Sequence, residues 1–125
     1  MVSRSDIIEY INTYLSVDDF SDYCPNGLQV QGSESVSRIV MGVTACQALL
    51  DVAVAKQADM IIVHHGYFWN GDEKTVTGML HSRLSSLLKH DISLLAYHLP
   101  LDVHPVIGNN ALLGTTLSFE CESTV

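Results

Sequence analysis

Positive charge is scarce in this 125-residue chain, with six Lys and Arg against fourteen Asp and Glu and a net charge of −8. That argues against a nucleic-acid backbone or an anionic membrane as main partner, because neither could be neutralised here. A polyanionic substrate is disfavoured too, unless bound cations reverse the local sign. Long apolar runs are also missing, and nothing approaches the roughly 20 residues needed to cross a bilayer. The first residues, "MVSRSDIIEY", hold no apolar signal core, since Asp6 and Glu9 interrupt it. A soluble, cytoplasmic protein is therefore expected. Cysteine is sparse and odd in number: Cys24, Cys46 and Cys121 are widely spaced and form no C-x-x-C. Neither a disulfide framework nor a zinc clip is indicated. Cys46, within an apolar helical pattern, reads as a packed free thiol. No Gly-rich loop follows a strand at Rossmann or P-loop spacing, and no G-x-S-x-G elbow occurs. A nucleophilic Cys24–His pair is disfavoured by Pro25-Asn26-Gly27, which reads as a turn.

What is present is a globular composition, 47% hydrophobic and 16% charged, of a length that suits one domain with its own core. "SRSDIIEYINTYLS" places Ile7, Ile8, Ile11, Tyr14 and Leu15 at helical spacing, with Ser5 as expected N-cap. "VDDFSDYCPNGLQVQGSES" is rich in Asp, Ser, Pro, Asn and Gly and reads as a structured loop. A strand is expected from Arg38 to about Thr44, then a helix over "CQALLDVAVAKQ" packing through Ala48, Leu49, Val52 and Ala53. "DMIIVHH" is a second strand. A loop, "GYFWNGDEKTVTG", leads to a third helix with Leu80, Leu84, Leu87 and Leu88 along one face. "DISLLAYH" supplies a third strand, "LPLDVHPVIGN" another loop and "NNALLGTTLSFE" a fourth helix. Strand–helix–strand–helix–strand at these lengths predicts a mostly parallel three-layer α/β sheet domain with βαβ crossovers. The near-continuous apolar strands "IVMGV", "MIIV" and "ISLLA" agree with a sheet covered on both faces.

In open α/β sheets ligands gather beyond the carboxyl ends of the strands. Here the second strand exits into His64-His65, and the third into "YHLPLDVH", with His98, Asp102 and His104. Imidazole nitrogens with a carboxylate suit zinc, iron, nickel or manganese. Adjacent histidines on an extended strand point to opposite faces, so a shared site needs a turn, which Gly66 would permit, or two separate metals. An aspartate can bridge a metal pair, and two-metal sites activate water and clamp an anionic substrate. The plainer alternative is a polar loop start. His104, before Pro105, reads as a solvated loop residue, and His81 and His90 read as helix-surface residues. Tyr67, Phe68 and Trp69 would line a pocket or pack.

Taken together and in order, "NGLQVQG", "GVTAC", "IIVHHGYFW" and "LLAYHLPLDVHPVIGNNALLG" resemble the dinuclear-metal family called NIF-three-like, whose members go by the name GTP cyclohydrolase I type 2. "HHGYFW" with "HLPLD" looks closest to its enterobacterial type. The resemblance runs from Asp6 to about Phe119. It implies a metal-dependent hydrolase with two divalent ions per complete subunit. His64 and His65 would be metal ligands, Asp102 the carboxylate bridging both ions, and His98 an acid–base or substrate-orienting residue beside them. Asn26, Gly27 and Gln29 would lie near the same cavity and bind substrate, a small molecule such as a nucleotide. Homohexamers are also implied. The alternative is a non-enzymatic role in metal binding or protein interaction.

One departure from the family pattern bears on all of this. Members resembling this chain are about twice as long, and their second half supplies a further His and Glu as H-x-x-x-E. After Phe119 only Glu120, Cys121 and Glu122 offer donors here. The chain therefore reads as the N-terminal half of a larger family fold, a fragment or a truncated product, with an incomplete site, weak metal binding and uncovered apolar surface.

Overall fold

The computed structural model describes residues 1–120 and Glu122, so Cys121 lies outside the described residues. A short strand β1 (Val2–Ser3) pairs antiparallel with β3 (Ser35–Val36) and pins the start of the chain. Helix α1 (Arg4–Tyr14) follows at once, capped by Ser3 rather than Ser5: the Ser3 hydroxyl accepts from the Ser5 amide at 3.2 Å. Pairing of Ser3 with Ser35 holds Ser3 extended, so the helix begins one residue later and Ser5 falls inside its first turn.

The main sheet has the order β2 (Gly27–Val30), β6 (Ser93–Ala96), β5 (Met60–His65), β4 (Ile39–Thr44). Strands β4, β5 and β6 run parallel, joined by α2 (Gln47–Ala55) and α3 (Gly78–Lys89). At the far edge β2 pairs antiparallel with β6. That edge strand lies inside the segment read from sequence as loop. Leu28 and Val30 would share a face on a regular strand, but a register shift between them sends each to a different core. The alternation that marks a strand is thereby lost.

Side chains of the central strands alternate between two cores. Ile61, Val63, Leu94 and Ala96 pack under α2 and α3, whereas Met60 and Leu95 pack under α1 with Leu15 and Tyr97. This is the expected three-layer arrangement. Each such fully buried Leu or Ile contributes on the order of 1.5–3 kcal/mol. Helix α2 is rotated by about one residue from the expected face: Leu50 and Ala53 are buried, while Val52 is exposed. Gly42 explains the seating, because a Cβ there would meet the Leu49 side chain at 2.5 Å. Two leucines bury more area than Ala48 would and decide the rotation. On α3, Leu80, Leu84 and Leu87 face the core, but Leu88 does not. After β6 come α4 (Leu99–Asp102), a single turn inside the expected loop, and α5 (Asn109–Leu117).

Strand β4 is an edge, and one of its faces is bare: Met41 is 74% and Val43 67% exposed. An open apolar groove of about 350 Å³ runs from there past Ile11, Tyr14 and Ile62 to His64. Among the described residues no helix is long and apolar enough to cross a membrane. An exposed apolar edge is a template for association. The chain should therefore self-associate at high concentration, and Met41→Lys with Val43→Lys should shift it toward monomer without changing its circular dichroism. Size-exclusion chromatography with light scattering checks this; an unchanged mass distribution would show that the edge is not used.

Candidate metal centre

Parallel pairing of β5 with β6 matches Val63 to Ala96, which sets His64 beside Tyr97 and His65 beside His98 just past the ladder. The Val63 carbonyl accepts from the Tyr97 amide at 3.0 Å, extending the pairing to the strand exits. On the other side the His65 carbonyl accepts from the Ala45 amide at 2.9 Å. Both exits are therefore held, and three imidazoles meet above them. Donor atoms of His64, His65 and His98 all lie within 4.8 Å of one another. Their ring centroids are 4.3 Å (His64–His65), 5.1 Å (His64–His98) and 5.6 Å (His65–His98) apart.

Gly66 does not achieve this through a left-handed turn, as it is absent from the positive-φ residues. Its value is space. A Cβ there would sit 2.2 Å from Gln29 Oε1 and 2.7 Å from the Ala96 Cβ. The two imidazoles approach each other at the last two residues of β5, although His65 is still paired with Thr44.

The hydrogen bonds decide which nitrogen faces the cluster. His64 Nδ1 lies 2.8 Å from the Tyr97 carbonyl, which can only accept, so Nδ1 carries the proton. His64 Nε2 is thereby left facing the cluster, 3.5 Å from Asp102 Oδ1. His98 Nδ1 lies 2.8 Å from Asp22 Oδ1, leaving Nε2 as its free nitrogen. The pKa of His65 is lowered, first by burial and then by the neighbouring His64 and His98, with Asp102 opposing. A neutral imidazole is the state that donates a lone pair.

Asp102 closes the α4 turn, its amide donating to the His98 carbonyl at 3.1 Å. Its Oδ1 accepts from Asn109 Nδ2 at 2.6 Å, which aims the carboxylate toward His64. His104 is kept away: its Nδ1 accepts from the Val106 and Ile107 amides, both at 3.2 Å, and its ring stacks on Tyr14 at 4.7 Å. His81 and His90 are exposed on and just after α3, far from the strand exits in the topology. Trp69 forms a wall, edge-on to His98 at 4.9 Å.

The residues of the "NGLQ" loop support the site with their polar groups already engaged. Asn26 Oδ1 accepts from the His98 amide at 2.7 Å, and Gln29 brackets Tyr67 through both its amide N–H and carbonyl. Gly27 is buried at φ +92°, with Asn12 close against it. Sequence reasoning missed Asp22. Burial alone would raise its pKa, but hydrogen bonds from Asn26, His98 and the Leu99 and Tyr23 amides outweigh it and bring it down to about 2. Nothing in the sequence separates Asp22 from Asp18 and Asp19 of the same acidic loop. Cys24, also near Asp22 and His98, has its thiol pushed up to about 11 by burial and by the Asp22 charge, so it stays protonated.

Comparison with known proteins agrees with this architecture. Residues 2–124 match the family described as Duf34/NIF3 (NGG1p interacting factor 3). A Pseudomonas aeruginosa protein named GTP cyclohydrolase 1 type 2 homolog is 56% identical over 121 residues, 97% of this chain and 48% of the relative. An Escherichia coli protein of the same name is 52% identical over 128 residues, 99% of this chain and 52% of the relative. Among solved structures, protein ybgI, described as of unknown function, superposes with a TM-score of 0.91 at 52% identity, covering 93% of this chain and 47% of that one. A Thermus thermophilus structure superposes with a TM-score of 0.87 at 38% identity, covering 93% and 48%. The chain thus spans about half the length of the curated relatives it matches. With a family match along nearly its whole length, this chain belongs to the Duf34/NIF3 family.

Proposed function

We propose that this chain carries part of a divalent-metal hydrolase centre, with His64, His65 and Asp102 as ligands and His98 as the acid–base residue. The observation that carries the reading is the convergence of three imidazoles within 4.8 Å. The donor set fits the group: neutral nitrogens with one carboxylate suit zinc, iron, manganese or nickel. Two ions per complete subunit is our reading, with Asp102 offering oxygens to both. Bound there, divalent ions would supply Lewis-acid polarisation of the substrate and a lowered pKa for water.

The chain's own residues set the rest. His64 presents Nε2 because the Tyr97 carbonyl holds Nδ1. His98 Nε2 is free to move a proton, and Trp69 shields its flank. The relatives' name suggests a purine nucleotide, and we extend it to this chain as a small anionic substrate, a nucleotide or another phosphoester. Cations at the cluster would offset the −8 charge locally and reconcile an acidic protein with such a substrate. A hexamer built from complete subunits goes with the same reading. Because the chain spans about half of its relatives, further ligands would come from sequence outside it, and binding by this chain alone is expected to be weak.

A second reading is favoured by the distances themselves. His98 lies as near the pair as a third imidazole ligand would, with Asp22 behind it as a carboxylate partner. Elemental analysis after equilibration with zinc or manganese separates the readings. His64→Ala with His65→Ala should lose bound metal; equal metal in wild type and double variant would sink the metal claim. His98→Ala should retain metal if it is the acid–base residue and lose it if it is a ligand.

Turnover is tested on the complete gene product, metal-loaded, against a panel of nucleotides and phosphoesters. His98→Ala should lower kcat by about 10²–10⁴-fold with little change in KM. No turnover of any panel member, with metal bound as predicted, would favour a metal-binding role without catalysis.

A further inference from the structure

The Asp22 carboxylate is 2% exposed and receives four donors. Oδ1 takes the Tyr23 amide at 2.6 Å and His98 Nδ1 at 2.8 Å. Oδ2 takes Asn26 Nδ2 at 2.8 Å and the Leu99 amide at 2.9 Å. Two donors belong to Asp22's own loop and two to the exit of β6. An ionised carboxylate offers about four lone-pair sites. With all of them occupied, Asp22 has nothing left for a cation, although its oxygen, Cys24 Sγ and a His98 nitrogen lie within 4.8 Å of one another.

We propose that Asp22 is a positioning residue of the histidine cluster, holding His98 in its Nδ1–H form with Nε2 turned toward His64 and His65. A carboxylate has no proton to give, so the proton in the 2.8 Å contact belongs to His98. That assignment leaves the lone pair on the nitrogen facing the cluster. The other three bonds make the arrangement stiff. Leu99 follows His98 directly, and Asn26 accepts from the His98 amide while donating to Asp22. Backbone and ring of His98 are therefore fixed from one point. This rests on the reading of the cluster as a reactive centre only for its consequence, and not for the tautomer itself.

The tautomer is measurable without metal. Long-range ¹H–¹⁵N correlation spectra of histidine-labelled protein, recorded where His98 is neutral, should show the Nδ1–H form in the wild type. In Asp22→Asn the amide oxygen can keep the Asn26 and Leu99 donors at the cost of the Tyr23 bond; its N–H then faces His98 Nδ1, and the ring should change to Nε2–H. A simple loop staple would leave the tautomer where it is. An Nε2–H form in the wild type overturns the proposal even if the variant fails to fold. A folded Asp22→Asn that keeps Nδ1–H overturns it as well. Cobalt(II) binding, followed by d–d absorption, tests the metal reading separately: if the wild type binds no cobalt, that reading fails by itself, and the tautomer comparison still decides the role of Asp22.

Discussion

The site depends on one register. Parallel pairing of β5 with β6 matches Met60 to Ser93 and Val63 to Ala96, and continuing it brings His64 and His65 beside Tyr97 and His98. A slip of one residue would exchange the two core faces of β6, moving Leu94 and Ala96 from the α2/α3 side to the α1 side. The core therefore enforces the alignment of the histidines. Hydrophobic burial, which carries no chemical specificity, is converted into placement of imidazoles to within ångströms.

Register alone leaves the rings free to turn, and hydrogen bonds remove that freedom. Tyr97 offers the carbonyl that orients His64, and its own ring is buried against Leu95 and Leu15 while its hydroxyl donates to Asn12. Asp22 does the corresponding task for His98. Both anchors are polar groups in a poorly solvated setting, where an unmade hydrogen bond costs about 1–3 kcal/mol. Misorienting either ring thus carries a penalty beyond the ring itself. Among the described residues His65 has no such anchor, and it is bounded by its neighbours, His64, His98 and Trp69.

Most of this fold is legible in the chain because its strands are regular and doubly covered. "MIIV" and "ISLLA" betray two-sided burial, and the crossover lengths imply parallel pairing. Legibility fails where the local rule is broken. The bulge between Leu28 and Val30 hides β2, and a pinned start moves the helix cap from Ser5 to Ser3. At the site, His64, His65, His98 and Asp102 can be named from strand exits and spacing. Asp22 cannot, since its importance lies in a contact made 76 residues away along the chain. Asn26 and Gln29 illustrate the converse. Their positions near the cavity are readable, but the sequence cannot say that their amides are already engaged by His98, Asp22 and Tyr67.

The bare groove ties the architecture to the chemistry. It reaches His64 from the exposed face of β4, so whatever covers Met41 and Val43 also borders the cluster. Covering it would remove water from one side of His64 and strengthen every electrostatic interaction there. On the proposed metal reading, apolar docking and ligand readiness would thus be coupled through solvent exclusion. A chain with the cluster assembled but the groove open would hold its donors in position in a wetter setting, one that weakens their grip on an ion. On that reading His64 and His65, unremarkable as the end of a strand, would gain their meaning from that coupling.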